Sequence, residues 1–250
     1  MYTSNAKKLL FNKLSFKNFK NKTFVITGYS SGIGKNLFDH LNALGSKLIL
    51  VGRKKIKHHL FYNCDLSKSE ELEKIIKIIS KKNNVIDGVV HCAAINEIFK
   101  INKVTLKNWN QVLSVNLTSA FIISKYLKKN LSKAKNPSIV FVSSIAGHRK
   151  SLVSGVHYVS SKAGLIGLSK QLSHEFGKYN IRVNCISPSQ TMTKMLIKSM
   201  TKKQIKGLVA SIPLNRLATV YDQTYSILFL LSPLSNYITG MNLKVDGGQL

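Results

Sequence analysis

Short apolar runs alternate along this chain with longer stretches in which apolar residues recur at helical spacing. The short runs, rich in β-branched residues, predict buried strands at residues 23–27, 47–51, 59–63, 85–91, 138–142 and 181–186. The longer stretches predict amphipathic helices at residues 33–44, 70–80, 108–129 and 158–176. Because nearly continuous apolar strands alternate with helices, we expect a parallel sheet covered on both faces.

This order of elements predicts the α/β class, with a doubly wound parallel sheet (Rossmann fold) in a single domain. A chain of 250 residues is long enough for one well-buried core and too short for two generous domains. We therefore assign residues 21–250 to the folded domain and residues 1–20 to a basic N-terminal extension. The extension contains no acidic residue, which leaves an organelle transit peptide open, but its lack of arginine favours a simple extension.

The chain is strongly basic, with 38 Lys and Arg against 10 Asp and Glu and a formal net charge of +28. Only four of the basic residues are arginines, and the lysines are scattered without interleaved aromatics. This pattern favours a solvated lysine surface over a nucleic-acid site. A positive exterior still raises the local concentration of anionic substrates, including an acidic carrier protein.

The three cysteines are far apart and lie in or beside apolar runs, so the sequence predicts neither a disulfide framework nor a metal site. The pair His58-His59 also lacks partners at metal-ligand spacing. No apolar stretch approaches the roughly 20 residues that a membrane helix needs. We expect a cytoplasmic protein that binds neither membranes nor nucleic acid.

The segment from Thr27 to Gly34, with three glycines, stands between the first predicted strand and the first predicted helix. A dinucleotide pyrophosphate requires a tight turn, close backbone approach and free N–H groups at a helix N-terminus. Glycines supply the first two, so this segment is a candidate dinucleotide-binding turn.

Cofactor choice is indicated by Gly52-Arg53-Lys54, at the end of the second predicted strand. An NAD site places an acid there for the ribose 2′-hydroxyl. Glycine leaves space where that carboxylate would sit, and the Arg53 guanidinium suits a 2′-phosphate, with Lys54 adding charge. The sequence therefore favours NADP(H) over NAD(H).

Tyr158 and Lys162 lie one helical turn apart at the start of a predicted helix, so their side chains share a face. A neighbouring ammonium favours phenolate and lowers the pKa of a phenol, which makes it a better acid-base group. Ser143 and Ser144 end the fifth predicted strand, where ligands gather in open α/β sheets. Together these residues form a candidate catalytic site.

The combination of the glycine-rich turn, Tyr158-Val159-Ser160-Ser161-Lys162 and Ser144 resembles the short-chain dehydrogenase/reductase family, in its branch similar to 3-oxoacyl carrier-protein reductases. The resemblance extends from about Asn21 to Gly248, through Cys64-Asp65-Leu66, Val115-Asn116-Leu117, Val183-Asn184 with Pro188, and Thr239-Gly240 with the segment 245–248. It implies a dinucleotide-binding oxidoreductase domain with a substrate lid at about residues 190–214. Within the lid, Met192, Met195 and Met200 either line an apolar pocket or pack the lid's helix.

The resemblance also implies roles for individual residues. Tyr158 would protonate the carbonyl oxygen in reduction, Lys162 would bind the nicotinamide ribose, and Ser144 would hydrogen-bond the substrate oxygen. Asn116 would hold a water that links Lys162 to a proton relay, Asp65 would meet the adenine, and Thr193 would lie near the nicotinamide amide. The full set of implied cofactor-binding residues is Gly28, Ser30, Ser31, Gly32, Ile33, Gly34, Arg53, Asp65, Leu66, Ala93, Tyr158, Lys162, Pro188, Thr191 and Thr193.

Two segments depart from the family pattern. His91-Cys92-Ala93-Ala94 stands where the family has Asn-Asn-Ala-Gly, which keeps the small residues facing the cofactor and replaces the two asparagines, so we expect the sheet-stabilising contacts to differ. Pro188-Ser189 replaces Pro-Gly, which restricts the backbone near the nicotinamide. His157, beside Tyr158, has no evident carboxylate partner for a triad and is expected to lie at the surface or to line the substrate site.

The resemblance implies an NADPH-dependent enzyme that transfers hydride to a carbonyl, with Tyr158 as proton donor. The favoured substrate is a 3-oxoacyl thioester, which an acidic acyl carrier protein can carry. A sugar, polyol or other secondary-alcohol dehydrogenase is an open alternative. A non-catalytic nucleotide-binding regulator is a second one, although the complete set Asn116, Ser144, Tyr158 and Lys162 argues against it. The family pattern further implies a homodimer or homotetramer, paired through the helices at 108–129 and 158–176.

Overall fold

A computed structural model describes residues 16–250, except positions 58, 152, 194, 195 and 197–200. Most of the predicted extension 1–20, His58, and the lid residues Met195 and Met200 lie outside the described residues.

A single parallel sheet of seven strands, in the order β3-β2-β1-β4-β5-β6-β7, forms the centre of the described structure. The strands are β1 Thr23–Thr27, β2 Lys47–Gly52, β3 Leu60–Asn63, β4 Gly88–His91, β5 Ser138–Val142, β6 Arg182–Pro188 and β7 Asn242–Val245. The strand order reverses between β1 and β4, which is the switch point of a doubly wound fold. The predicted fold class is therefore confirmed.

Helices cover both faces of the sheet: α1 Gly32–Ala43, α2 Ser69–Lys82, α3 Leu106–Leu113, α4 Ser119–Leu131, α5 Val156–Gly177, α6 Lys202–Ala210 and α7 Val220–Leu231. Side chains alternate along β1, so that Val25 joins one buried cluster while Phe24 and Ile26 join the other. Burial on both faces explains why the strands are continuously apolar. Within the described ranges, no helix combines the length and apolar character needed to cross a bilayer.

Three elements differ from the sequence-based expectation. The helix predicted at 108–129 is interrupted by a π-helical turn, Ser114–Thr118, and it begins earlier because Thr105 and Asn108 form a capping box. Strand β7 and helix α7 were not predicted, although α7 also begins with a capping box, between Thr219 and Asp222. Their short or continuously apolar segments lack the periodicity on which the predictions rested.

Candidate active site

The carboxyl ends of β1, β2, β4, β5 and β6 border a cavity of about 690 Å³, which we call the crevice. All the residues that the family resemblance assigned to cofactor binding lie along its wall, and so does Ser144. The wall also contains residues that the sequence analysis did not single out, among them Ile95, Asn96, Gln111, Val153, Ser154 and Leu196. These lie outside the family motifs and, apart from Gln111 and Leu196, in loops, so no sequence signal marked them.

The glycine-rich turn between β1 and α1 is closely packed. Gly28 has a φ of 70° and Gly32 a φ of 54°, in the left-handed region that favours glycine. A Cβ atom at Gly28 would lie 2.5 Å from the backbone nitrogen of Ala93, and one at Gly34 would lie 2.2 Å from the carbonyl oxygen of Gly28. These contacts allow only glycine at both positions. The turn leads into the N-terminus of α1, where free N–H groups and the exposed Ser30 and Ser31 suit an anionic pyrophosphate.

The end of β2 presents positive charge to the crevice. Arg53 and Lys54 are exposed, and no carboxylate among the described residues forms a salt bridge with either. Opposite them, Asp65 accepts hydrogen bonds from the backbone N–H and the hydroxyl of Ser67, at 3.0 and 2.8 Å, which lower its pKa. Two cationic side chains and one carboxylate acceptor thus lie together at the end of the crevice that the sequence analysis assigned to the adenosine half of a dinucleotide.

The candidate proton-transfer group lies at the other end of the crevice. Tyr158 is half-buried at the start of α5, and its phenol lies close enough to the hydroxyl of Ser144, which follows β5, for that hydroxyl to lower the pKa of the phenol. Lys162 is 1% exposed, and its Nζ donates to the carbonyl oxygen of Val142 at 2.7 Å. The same Nζ lies 5.5 Å from the centre of the Tyr158 ring. The three predicted residues thus meet in one place.

Electrostatics at this site differ from the expectation that Lys162 lowers the pKa of Tyr158. Burial raises the pKa of the Tyr158 phenol, and the hydrogen bond with Ser144, rather than Lys162, opposes the rise. Burial also lowers the pKa of Lys162 to about 8. Because desolvation disfavours both charged forms, the phenol is protonated at neutral pH in this arrangement.

Asn116 lies outside the crevice wall, in the π-helical turn behind it. Its Oδ1 accepts from the backbone N–H of Ile95 at 2.9 Å, and its Nδ2 donates to the carbonyl of Ile95 and to Ser161 Oγ, both at 3.0 Å. Both ends of the amide are thus engaged, and they connect the segment after β4 to α5. The sequence analysis missed Ser161, although it stands between Tyr158 and Lys162.

His91, which stands where the family has Asn, makes its own polar contacts within the sheet. His91 is fully buried, with Nδ1 2.8 Å from Thr27 Oγ1 and Nε2 3.3 Å from Ser119 Oγ. The imidazole therefore connects β1, β4 and α4 by hydrogen bonds. Burial, with a smaller contribution from the charge of Lys162, lowers the pKa of His91 to about 3.

This shift predicts acid sensitivity. Between pH 6.5 and about 3 the unfolded chain protonates His91 while the folded chain does not, so stability falls as pH decreases, by up to about 1.4 kcal/mol per pH unit. Replacing His91 by Asn, the family residue, should remove this part of the slope in denaturant unfolding measured at pH 7, 6 and 5. The exposed His174→Asn is the matched control. Equal slopes in the wild type and His91→Asn would contradict the assignment.

His157 was expected at the surface or along the substrate site, and both expectations are wrong. Its side chain is fully buried and lies outside the crevice wall. Nδ1 accepts from the backbone N–H of Tyr158 at 3.0 Å, and Nε2 lies 4.0 Å from a carboxylate oxygen of Glu97. The ring fills the start of α5 because Gly155 leaves it space: a Cβ there would lie 2.4 Å from its Cε1.

Beyond β6, the first residues of the segment predicted as a lid form part of the crevice wall. Thr191 Oγ1 donates to the carbonyl of Ser189 at 3.1 Å, and residue 191 pairs with Ala218. The Thr193 side chain lies beside the glycine-rich turn, 3.4 Å from where a Cβ on Gly32 would be. Met192 is half-exposed and is not part of the crevice wall. Among the described residues, no group of three or more His, Cys, Asp or Glu side chains is arranged to hold a metal ion.

Comparison with known proteins finds similar oxidoreductases by sequence and by structure. A family model described as enoyl-(acyl carrier protein) reductase matches residues 28–249. The 3-oxoacyl-[acyl-carrier-protein] reductase of Rickettsia typhi is 33% identical over 247 residues, covering 93% of this chain and 98% of that protein. Thermoplasma acidophilum aldohexose dehydrogenase superposes with a TM-score of 0.85 at 26% identity, covering 94% of this chain and 96% of that one. A short-chain dehydrogenase from Leptospira borgpetersenii with bound NAD⁺ has a TM-score of 0.85 at 28% identity, covering 94% of each chain.

The fold and these relatives together define an NAD(P)-dependent oxidoreductase that acts on CH–OH or C=O groups. Within that class, the chain belongs to the short-chain dehydrogenase/reductase family, since the family model spans most of its length. The resemblance inferred from the sequence motifs is confirmed.

Proposed function

We propose that this protein is an NADPH-dependent reductase of carbonyl substrates, with Tyr158 as the proton donor and a 3-oxoacyl thioester as the favoured substrate. The observation that carries the proposal is the meeting of Tyr158 and Ser144 over the buried Lys162 in the crevice. A raised pKa keeps the phenol protonated, which is the form that a proton donor needs.

Each residue has a distinct part in this mechanism. When bound, the reduced nicotinamide supplies the hydride. The glycine-rich turn at 28–34 and the N-terminus of α1 bind the pyrophosphate, and Arg53 and Lys54 bind the 2′-phosphate. Ser144 orients the substrate oxygen, and Tyr158 gives its proton to that oxygen as negative charge develops there. Lys162, with a pKa of about 8, is suited to return a proton towards the phenol.

The thioester is favoured because curated relatives that match nearly the whole chain are 3-oxoacyl-[acyl-carrier-protein] reductases. A net charge of +28 also complements an acidic carrier protein. The second candidate substrate is a sugar or polyol, which the structural likeness to an aldohexose dehydrogenase supports. Rates of NADPH oxidation with acetoacetyl thioesters, compared with a panel of aldoses and ketoses, separate the two. Turnover of the sugars alone would overturn the thioester assignment.

Cofactor choice is tested at Arg53. Because a charge-assisted hydrogen bond contributes about 1.5–3 kcal/mol, Arg53→Ala should raise the Kd for NADPH by roughly 10- to 100-fold and leave the Kd for NADH nearly unchanged. Arg149→Ala is the matched control, since Arg149 is also exposed but lies outside the crevice wall. Tighter binding of NADH than NADPH by the wild type would contradict the preference.

We also propose that the protein is cytoplasmic and forms a homodimer or homotetramer through the surfaces of α4 and α5. The exposure of Phe121 supports an interface at α4, since 45% of this large apolar residue is exposed there. Light scattering after size exclusion distinguishes these assemblies from a monomer.

A further inference from the structure

Tyr29 belongs to the glycine-rich turn, but its side chain points into the protein. The residue is only 2% exposed and packs in the buried cluster that contains Ile26 and Leu50. Its hydroxyl donates a hydrogen bond of 2.7 Å to the carbonyl oxygen of Lys54. Tyr29 therefore connects the pyrophosphate-binding turn to the segment that follows β2.

The Tyr29 ring also occupies the space beside Gly52. A Cβ atom at position 52 would lie 3.3 Å from both Cε1 and Oη of Tyr29, closer than most real Cβ contacts. The ring cannot easily move away, because its base is packed in the core and its hydroxyl is bonded to Lys54. The space beside Gly52 is therefore bounded by an aromatic ring, which must shift by a few tenths of an ångström to accept a side chain at position 52.

Position 52 is where an NAD-binding protein of this fold places its acid for the ribose 2′-hydroxyl. A carboxylate side chain there would meet the ring of Tyr29 and would draw the phenol hydroxyl away from Lys54. Arg53 and Lys54, by contrast, are exposed on a backbone that this hydrogen bond holds in place. Burial raises the pKa of Tyr29 to about 12, so the phenol is a neutral donor over the working pH range.

We propose that Tyr29 is a specificity-determining residue for the cofactor's 2′-position, through two separate effects. Its ring excludes an acidic residue from position 52, and its hydroxyl positions the backbone that carries Arg53 and Lys54. The inference rests on the NADPH preference proposed above and adds to it a residue that acts through its packing beside Gly52 and its hydrogen bond to Lys54.

The positioning effect is tested with Tyr29→Phe, which removes the hydroxyl and keeps the ring. Calorimetric titration with NADP⁺ and NAD⁺ measures it without turnover. Loss of one hydrogen bond of ordinary net strength should raise the Kd for NADP⁺ by roughly 3- to 10-fold and that for NAD⁺ by less than about twofold. Tyr126→Phe is the matched control, because Tyr126 lies outside the crevice wall. An unchanged Kd for NADP⁺ in Tyr29→Phe would overturn the positioning effect.

The exclusion effect is tested by placing Gly52→Asp in two backgrounds. Tyr29→Leu removes the ring atoms next to Gly52 but keeps apolar volume towards the core. In the wild-type background, Gly52→Asp should weaken NADP⁺ binding and leave NAD⁺ binding no tighter. In the Tyr29→Leu background, the same substitution should tighten NAD⁺ binding by roughly tenfold, the contribution of one charge-assisted hydrogen bond.

Equal tightening of NAD⁺ binding in both backgrounds would overturn the exclusion effect. Thermal unfolding of each variant shows whether the compared proteins are folded. In any background where Gly52→Asp does not fold, Gly52→Ala replaces it as the test. Although alanine has no carboxylate, Gly52→Ala should lower the melting temperature when Tyr29 is present and leave it unchanged in the Tyr29→Leu background. Tighter binding of NAD⁺ than NADP⁺ by the wild type would refute the proposed cofactor preference, yet the dependence of Gly52→Asp on Tyr29 would remain measurable.

Discussion

Tyr158→Phe is expected to lower kcat by roughly 10²- to 10⁴-fold, the range that a positioned proton-transfer group contributes. The substitution removes one hydroxyl and keeps the ring, so the Kd for NADPH should stay within about twofold of the wild type. Loss of turnover without loss of binding is what distinguishes a proton donor from a packing residue. The comparison is made by steady-state kinetics with the thioester substrate and by calorimetric titration with the cofactor.

Tyr126→Phe provides the matched loss of a hydroxyl from a half-buried tyrosine that lies away from the crevice. It should show wild-type kcat. Wild-type turnover in Tyr158→Phe would remove Tyr158 from the mechanism. Equal losses of turnover in both variants would mean that stability, rather than proton transfer, was being measured.

Gly34→Ala is expected to disrupt cofactor binding through sterics alone. The added methyl group would lie 2.2 Å from the carbonyl oxygen of Gly28, so the turn and the start of α1 must separate. Overpacking of this kind costs about 1–3 kcal/mol of folding free energy. A displacement of the pyrophosphate site by about 1 Å should lower kcat/KM by roughly 100-fold.

Gly207→Ala is the control for Gly34→Ala, since it makes the same change within a helix. Gly207 is exposed on α6, outside the crevice wall, and no atom lies within 4 Å of the added methyl. It should stabilise the protein by roughly 0.5–1 kcal/mol, because alanine restricts the unfolded chain. Thermal unfolding and NADP⁺ titration measure both variants. Identical behaviour of the two would contradict the close contact between Gly34 and Gly28.

The sequence predicted those features that depend on local pattern. Alternation of apolar runs and helical periods indicated the doubly wound sheet, and one helical turn of spacing placed Tyr158 and Lys162 on one face. Motif order then indicated that Ser144 joins them. The structure brings all three together because the carboxyl end of β5 and the start of α5 meet at the same edge of the sheet.

Features that depend on contacts between residues far apart in the chain could not be predicted from the sequence. The π-helical turn at Ser114–Thr118 accompanies the hydrogen bonds of Asn116 to Ile95 and Ser161, which no periodicity reveals. The occupation of the space beside Gly52 depends on a ring 23 positions earlier in the chain. The buried ring of His157 likewise lies beside Glu97, a residue 60 positions earlier in the chain.

Only four residues of the chain are arginines, and one of them, Arg182, has a place in the core of the fold. That guanidinium is buried and donates to the carbonyl oxygens of Leu230 and Ser232, near the end of α7. An arginine of this chain can therefore stabilise the fold instead of binding a ligand. What separates the two is exposure at the crevice wall, which only the folded chain reveals.

The most direct test of the central claim follows deuterium from NADPH labelled at the transferable C4 position into an acetoacetyl thioester. Mass spectrometry and NMR of the product should find one deuterium on the new carbinol carbon with the wild-type enzyme, and almost none within the same time with Tyr158→Phe. Tight NADPH binding with no deuterium transferred to this thioester, or to any aldose, ketose or other carbonyl compound tested, would contradict the account of this chain as a carbonyl reductase.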